Sequence, residues 1–353
     1  MTMGKKRKSA KRNVAVFIIL VAVVLFAGYH LYQSTFSPAV TAEIAAEPLY
    51  IPTGSTAEDV LVVLTAKGLV ERPSLAAKLI EKKNYAGANV EPGMYRLREG
   101  MSLNAVVNHL RGGLGEENVN ITFNTARTLA ELAGKAARNI EADSTAVAAL
   151  LTNPETARKY GFSKETFLSM FLPDTYYSEW DTDAEAFVQR MAREYKQFWN
   201  EERIEKARKL GLSQSEVSTL ASIVQAEQQL RPEERPVIAG LYLNRLRRGM
   251  KLQSDPTVVF AVGDFTINRV LNVHLGYNSP YNTYKFTGLP PGPINVPQKS
   301  SIDAVLNPDD NNYIFMCAKA DFSGYHAFAT NLAEHNKNAA AYRRALNERK
   351  IYR

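Results

Sequence analysis

The chain has 353 residues, enough for two or three domains with real cores, and its 45% hydrophobic and 22% charged composition excludes wholesale disorder. Its formal net charge is +7, but Lys5, Lys6, Arg7, Lys8, Lys11 and Arg12 supply six of those charges; the remainder is close to neutral, which excludes a broad nucleic-acid surface. Cys317 is the single cysteine, so intramolecular disulfides and CxxC metal or redox centres are excluded as well.

Residues 1–12 form a basic tail. Residues 13–32, "NVAVFIILVAVVLFAGYHLY", carry no charge and match the roughly 20 apolar residues a helix needs to cross a bilayer. Tyr29, His30 and Tyr32 stand at its far end, where amphipathic rings favour the headgroup region. Basic flanks stay on the cytoplasmic side, which predicts a single-pass protein of the cytoplasmic (inner) membrane with its N-terminus inside and the rest extracytoplasmic. A cleaved signal peptide is the alternative, but "GYHLYQSTFSPA" is a poor small-residue cleavage site after so long an apolar run. A disulfide-free extracytoplasmic chain fits a bacterial envelope protein.

Residues 33–48 show no sustained period and read as a tether. From 49 to 113 a plan repeats loosely: "YIPTGSTAEDVLVVL" and "YRLREGMSLNAVVNHL" each give a short strand, a Gly turn, a Ser or Thr, then an apolar-periodic helix. Thr56 and Ser102 are placed as N-caps, and "RPSLAAKLIEKK" supplies a second helix from Pro73, so the order is strand, helix, helix, strand. This βααβ module resembles LysM, a small glycan-binding fold; a structural adaptor without a ligand remains the open alternative.

Residues 114–353 form the larger, mixed α/β domain, giving an α+β fold class for the whole. Its middle segment, 114–212, is mostly helical. "ITFNTARTLAELAGKA" starts it with a Thr128–Glu131 capping-box pair, and "FLPDTYYSEWDTD" is expected as an ordered, partly exposed loop. In 213–353, Ser213 and Glu216 open a helix with a second capping box, and Val217, Leu220, Ile223 and Val224 give it one apolar face. Glu227 falls next on that face, in the last turn before Arg231 and Pro232. The negative end of the helix and partial burial both favour the protonated carboxyl, the form a general acid needs. The bland alternative is an ion pair with Arg231, Arg235 or Arg245.

Further on, "KLQSDPTVVFAVG" presents Gln253, Ser254 and Asp255 ahead of Pro256, with Asp255 expected as an N-cap. "YNSPYNTYKFTGLPPGPI" gathers Tyr277, Asn278, Tyr281, Asn282 and Tyr284. Aromatics that stack on sugars beside amides that bind hydroxyls suit a carbohydrate groove; a Pro/Gly loop packed by its own tyrosines is the alternative. His326 and His335 lack an HExxH pattern and read as part of a strand-turn-helix packing element, His274 as a surface or groove-lining histidine, and no GxSxG elbow is present. No metal or other cofactor is expected.

"LASIVQAEQ", "YLNRLRRGMKLQSDPTVVFAVG", "SPYNTYKFTGLPPGPI" and "HAFATNLAEHNK", in this order and with "FLPDTYY" upstream, closely resemble the endolytic murein transglycosylase family (MltG/YceG-like). The resemblance runs from about Tyr50 to the end. It implies a membrane-anchored enzyme that cuts peptidoglycan glycan strands between N-acetylmuramic acid and N-acetylglucosamine and leaves 1,6-anhydro ends. It also implies cell-wall synthases as partners, and Glu227 as the catalytic acid. Two departures stand out: Gln225 where many members carry a second acid, and "FNTART" where relatives show a Pro-Glu-Gly turn. Gln253, Asn282 and Tyr284 are expected to orient sugar hydroxyls, Asp255 to shape the loop, and Tyr281 to stack on sugar or fill core. Two other functions stay open: a muramidase-type hydrolase using Glu227 with Asp255, and a non-catalytic wall-binding tether.

Overall fold

The computed structural model describes residues 3–113 and 118–349, with side chains from residue 12 onward. The other side chains of the basic tail, read above as a topology signal, lie outside the described residues. The chain separates into two compact units. The first holds the chain up to Asn120 with Asn139–Glu141 and Tyr177–Thr182; the second holds Ile121–Arg138, Ala142–Tyr176 and everything from Asp183. The boundary drawn above after residue 113 adjoins residues 114–117, which lie outside the described residues.

The first unit starts with helix α1 (Met3–Phe36). Its Arg12–Phe36 part is long and apolar enough to cross a membrane, and none of its most apolar window is buried against the protein. The helix outruns the expected span by four residues, with the Ser34 and Thr35 hydroxyls donating to the Leu31 carbonyl at 3.1 and 3.0 Å. The tether expectation is overturned for part of 33–48. Ala39 and Val40 N–H both donate to the Met101 carbonyl, at 2.9 and 3.0 Å, Val40 is buried, and a short helix α2 (Ala42–Ala46) follows. Val40 belongs to the module's core, so burial anchors what periodicity alone left loose.

Then come β1 (Leu49–Ile51), α3 (Ala57–Ala66), α4 (Pro73–Lys82), β2 (Gly93–Tyr95) and α5 (Leu103–Arg111). β1 and β2 pair antiparallel with Tyr50 opposite Met94, which closes the expected βααβ order. Thr56 forms a full capping box with Asp59, and Ser102 caps α5. Leu49, Ile51, Val60, Leu64, Ile80, Tyr95, Val106 and Leu110 make one continuous apolar core.

β3 (Val119–Phe123) forms a two-stranded sheet with β4 (Asp174–Ser178). β4 corrects the expected loop: Thr175, Tyr176 and Tyr177 are good strand formers, and Tyr176 alternates inward. Between them lie α6 (Leu129–Ala136), α7 (Ser144–Thr152) and α8 (Pro154–Lys159). Thr128 caps α6, but the Glu131 carboxylate accepts from the N–H of Arg127 at 2.8 Å, so the box closes one residue early.

The second unit continues with α9 (Ala184–Phe198), α10 (Glu201–Leu210), α11 (Gln214–Glu227), α12 (Arg235–Arg247), α13 (Asp255–Val262), α14 (Asn272–Leu275) and α15 (Lys299–Leu306). It ends with an antiparallel hairpin of β5 (Phe315–Ala318) and β6 (His326–Ala329), then α16 (Leu332–Glu348). Helix α11 packs against α12, α13 and α15. It is not the half-exposed amphipathic helix that its spacing predicts, because Ser218, Thr219 and Ser222 are buried along with the apolar stripe. Ser222 shows why. Its hydroxyl accepts from the N–H of Ile294 at 3.0 Å, and its carbonyl accepts from Asn295 Nδ2 at 2.9 Å, tying the Pro/Gly-rich stretch across the helix. On the same stretch Gly292 lies against the backbone of Glu165, where a Cβ would sit 2.0 Å from the carbonyl oxygen.

Candidate active site

Helix α11 is fixed at its start by the complete Ser213–Glu216 capping box and stops at Glu227, where Gln228 turns extended. Its last residue is therefore carried on a rigid, buried rod. Glu227 Oε1 accepts from the Tyr242 hydroxyl at 2.9 Å and from the Ser254 hydroxyl. Oε2 has no hydrogen-bond partner among the described residues, and none of them forms an ion pair with the carboxylate. The salt-bridge alternative fails because each candidate arginine is engaged elsewhere. Arg231 donates to the Ser323 carbonyl, Arg235 to the Gln228 carbonyl, and Arg245 to the carbonyls of Ile314, Lys251 and Leu252.

Burial pushes the Glu227 carboxyl above the ordinary glutamate range, and the nearby Asp255 charge adds to this. The Ser254 and Tyr242 hydroxyls and, more weakly, His326 pull the other way without reversing it. The carboxyl thus holds its proton more tightly than an exposed glutamate does, and two neutral donors face the anion when the proton leaves.

Glu227 faces a cavity of about 470 Å³ within the second unit, walled by α12, the 252–255 turn, Tyr284, β5, His326 and the start of α16. Gln253 and Asp255 line it. Gln253 adopts a left-handed backbone (φ 54°), a strained conformation for a residue with a side chain. Its N–H donates to the Thr283 carbonyl at 3.2 Å, and its Oε1 accepts from Arg245 Nη1 at 3.0 Å. Asp255 is not the N-cap expected above. Ser254 holds that position, and Asp255 opens α13 with its Oδ1 accepting from the Tyr284 hydroxyl at 2.6 Å. Tyr284 and Asp255 therefore act as a joined pair on the cavity wall.

Asn282 is a correction, and Tyr281 takes the packing alternative over the stacking one. Asn282 is fully buried: its Nδ2 donates to the Leu275 and Tyr277 carbonyls, and its Oδ1 accepts from the N–H of Tyr284. With its amide spent on its own loop, it positions Tyr284 and cannot reach sugar hydroxyls. Tyr281 packs on Phe260 with ring centroids 4.8 Å apart and is absent from the Glu227 cavity. His274 is likewise local, its Nδ1 accepting from the N–H of Leu271 at 3.1 Å.

Sequence reasoning assigned no role to Tyr242 or Ser254. Tyr242 lies on α12 with no local pattern to mark it, and only the packing of α12 on α11 brings it to Glu227. Ser254 was visible as a polar residue before Asp-Pro, but its backbone is held by Thr283, whose Oγ1 accepts from its N–H at 3.0 Å. His326 was read as packing, and it does begin β6, yet it also lines the cavity. Its Nδ1–H and its backbone N–H donate to the two oxygens of buried Glu234, at 2.7 and 2.9 Å, with Gln228 Nε2 donating to the same carboxylate. No group of three or more metal-ligating side chains occurs among the described residues.

A carboxyl of raised proton affinity, hydroxyl donors on one of its oxygens and an open cavity beside it make this the candidate acid/base site of the chain. The chain belongs to the YceG-like family, whose model matches residues 49–341. The protein named endolytic murein transglycosylase in Bacillus subtilis (strain 168) is 29% identical over 342 residues, covering 92% of this chain and 93% of that relative. Its namesake in Streptococcus pneumoniae serotype 2 (strain D39) is 25% identical, with 94% of this chain aligned to 65% of a longer protein. A crystal structure of a yceG-like protein from Listeria monocytogenes superposes with a TM-score of 0.55 at 26% identity, covering 82% of this chain and 98% of that one.

Proposed function

We propose that this chain is an endolytic murein transglycosylase and that Glu227 is its single catalytic acid/base. The observation that carries this is the Glu227 carboxyl itself, in no ion pair among the described residues, inclined to hold its proton, and open to a cavity large enough for sugar units. Glu227 donates its proton to the glycosidic oxygen as the bond to muramic C1 breaks. The resulting carboxylate, stabilised by Tyr242 and Ser254, then takes the proton of the muramic C6 hydroxyl as that oxygen bonds to C1. One bond breaks and one forms, no water is consumed, and the acid is restored. An attacking group already attached to the same sugar has a high effective concentration, so no protein nucleophile is required.

Digestion of purified sacculi by the wild-type chain and by Glu227→Gln tests this. The expected products of the wild type are strands with 1,6-anhydro ends, and none from the variant; undiminished cleavage by the variant would remove Glu227 from the role. One observation favours a second outcome: Asp255 lines the same cavity and raises the proton affinity of Glu227, so a pair of carboxylates is present, as a muramidase-type hydrolase requires. Reducing muramic ends in the digest would select that reaction.

Helix α1 anchors the chain in this proposal, with the basic tail on the cytoplasmic side and cleavage outside, beside cell-wall synthases acting on nascent strands. The βααβ module contributes a LysM-like glycan contact. Protease protection of the tail in spheroplasts and binding of isolated strands by Glu227→Gln test these two points.

A further inference from the structure

A second cavity of about 470 Å³ lies in the same unit, just past the end of α11 from the acid. The two cavities share junctions. Ala226 lines this one and Glu227 the other, while Pro256 lines this one and Asp255 the other. The two openings thus flank consecutive residues of α11 and of the start of α13.

The cavity contains an unbalanced charge. Arg235 is only 3% exposed, and every acceptor it has is neutral: the Gln228 carbonyl for Nε at 3.0 Å, and Gln298 Oε1, Ser301 Oγ and Ser300 Oγ for Nη1 at 2.8, 3.0 and 3.5 Å. Its Nη2 has no acceptor among the described residues, and no carboxylate pairs with it. Burying a guanidinium without a counter-charge is unfavourable, and an anionic ligand in the cavity would offset that cost. Arg127 adds a second cation at the rim, stacked 4.7 Å from the Phe265 ring centroid and without an ion-pair partner among the described residues. The one acid on the wall, Glu131, is neutralised by Lys135 at 2.7 Å. Phe260 and Phe265 supply apolar surface, and Gln229 supplies an amide.

We infer that this cavity binds the carboxylate on the side arm of a muramic acid unit next to the cleaved bond, either the lactyl acid itself or an acid of the peptide it bears. The inference rests on the proposed glycan substrate and adds to it a selection: strands are recognised through their acidic arms as well as their sugars. Planar, two-pronged guanidinium chemistry suits a carboxylate.

The test uses the full chain carrying Glu227→Gln, so that ligands bind without turnover. Calorimetry compares three tetrasaccharide probes: one with peptide stems, one stripped to free lactyl acids, and chitotetraose, which has no acid. An acid-bearing probe is expected to bind roughly tenfold tighter than chitotetraose, with Arg127→Gln and Arg235→Lys each reducing that ratio severalfold. Whichever probe carries the advantage identifies the source of the carboxylate. Equal affinity for all three probes, or a ratio that neither arginine variant alters, would overturn the inference. Arg127 is exposed, so its variant remains informative should Arg235→Lys fail to fold, which thermal melting reports. Binding discrimination is read whether or not the wild-type chain yields anhydro ends, so the two proposals fail separately.

Discussion

The two units bury different kinds of side chain. In the first, His109 is the one buried polar side chain among the described residues, tyrosines apart, and the core is otherwise aliphatic and aromatic. In the second, Gln225, Gln228, Glu234, Arg235, Asn244, Arg245, Ser254, Thr257, Asn282 and Thr283 are all buried. An apolar core gains stability with every contact. A polar one gains little net energy from its hydrogen bonds, yet it fixes groups in position and leaves no freedom to rearrange. The first unit rests on apolar packing, while the second adds to its apolar core a set of buried polar groups held in fixed positions.

Glu227→Gln probes this contrast most severely. It should lower cleavage of glycan strands by about a thousandfold, the scale of a lost general acid, in an end-group assay. The same change should stabilise the fold at neutral pH. A carboxyl whose proton affinity rises on folding makes the folded state lose stability as pH climbs from the ordinary glutamate range to the raised value. The Gln variant escapes that loss, so its melting temperature should exceed wild type at neutral pH and match it in acid.

Leu64→Ala tests the apolar unit, where a fully buried side chain leaves a cavity worth about 2–5 kcal/mol in chemical denaturation. Asn282→Ala should destabilise by roughly 1–3 kcal/mol, because two loop carbonyls lose their donor. A raised KM with unchanged stability would instead return Asn282 to sugar binding. The finest probe is Tyr242→Phe or Ser254→Ala. Each removes a donor to the Glu227 carboxylate, so kcat should fall about tenfold. The alkaline limb of the pH–rate profile should move upward, since those bonds hold the proton affinity down.

Legibility followed the same division. Caps at Thr56, Ser102 and Ser213 were readable because a hydroxyl and the N–H groups it serves lie within one turn of chain. The βααβ order was readable because each element carries its own period. Asp255 and Asn282 were visible as residue types, but their roles were not. Whether an amide points at its own loop or into a groove depends on a backbone path that local pattern does not encode. Tyr242 and Ser254 come from separate parts of the chain and bond Glu227 only after α11 packs, and His326 reaches the same cavity from β6.

By itself, then, the sequence determined the apolar leading helix, the capped helices, the two-strand module and the one carboxylate at a helix end. These rest on interactions between residues a few positions apart. Tertiary structure alone decided that α11 is buried on all sides from Val217 to Gln225, that hydroxyls and not arginines bond Glu227, and that Arg235 is enclosed without an anion. Those outcomes depend on which distant surfaces exclude water together, and solvent exclusion is a property of the packed chain.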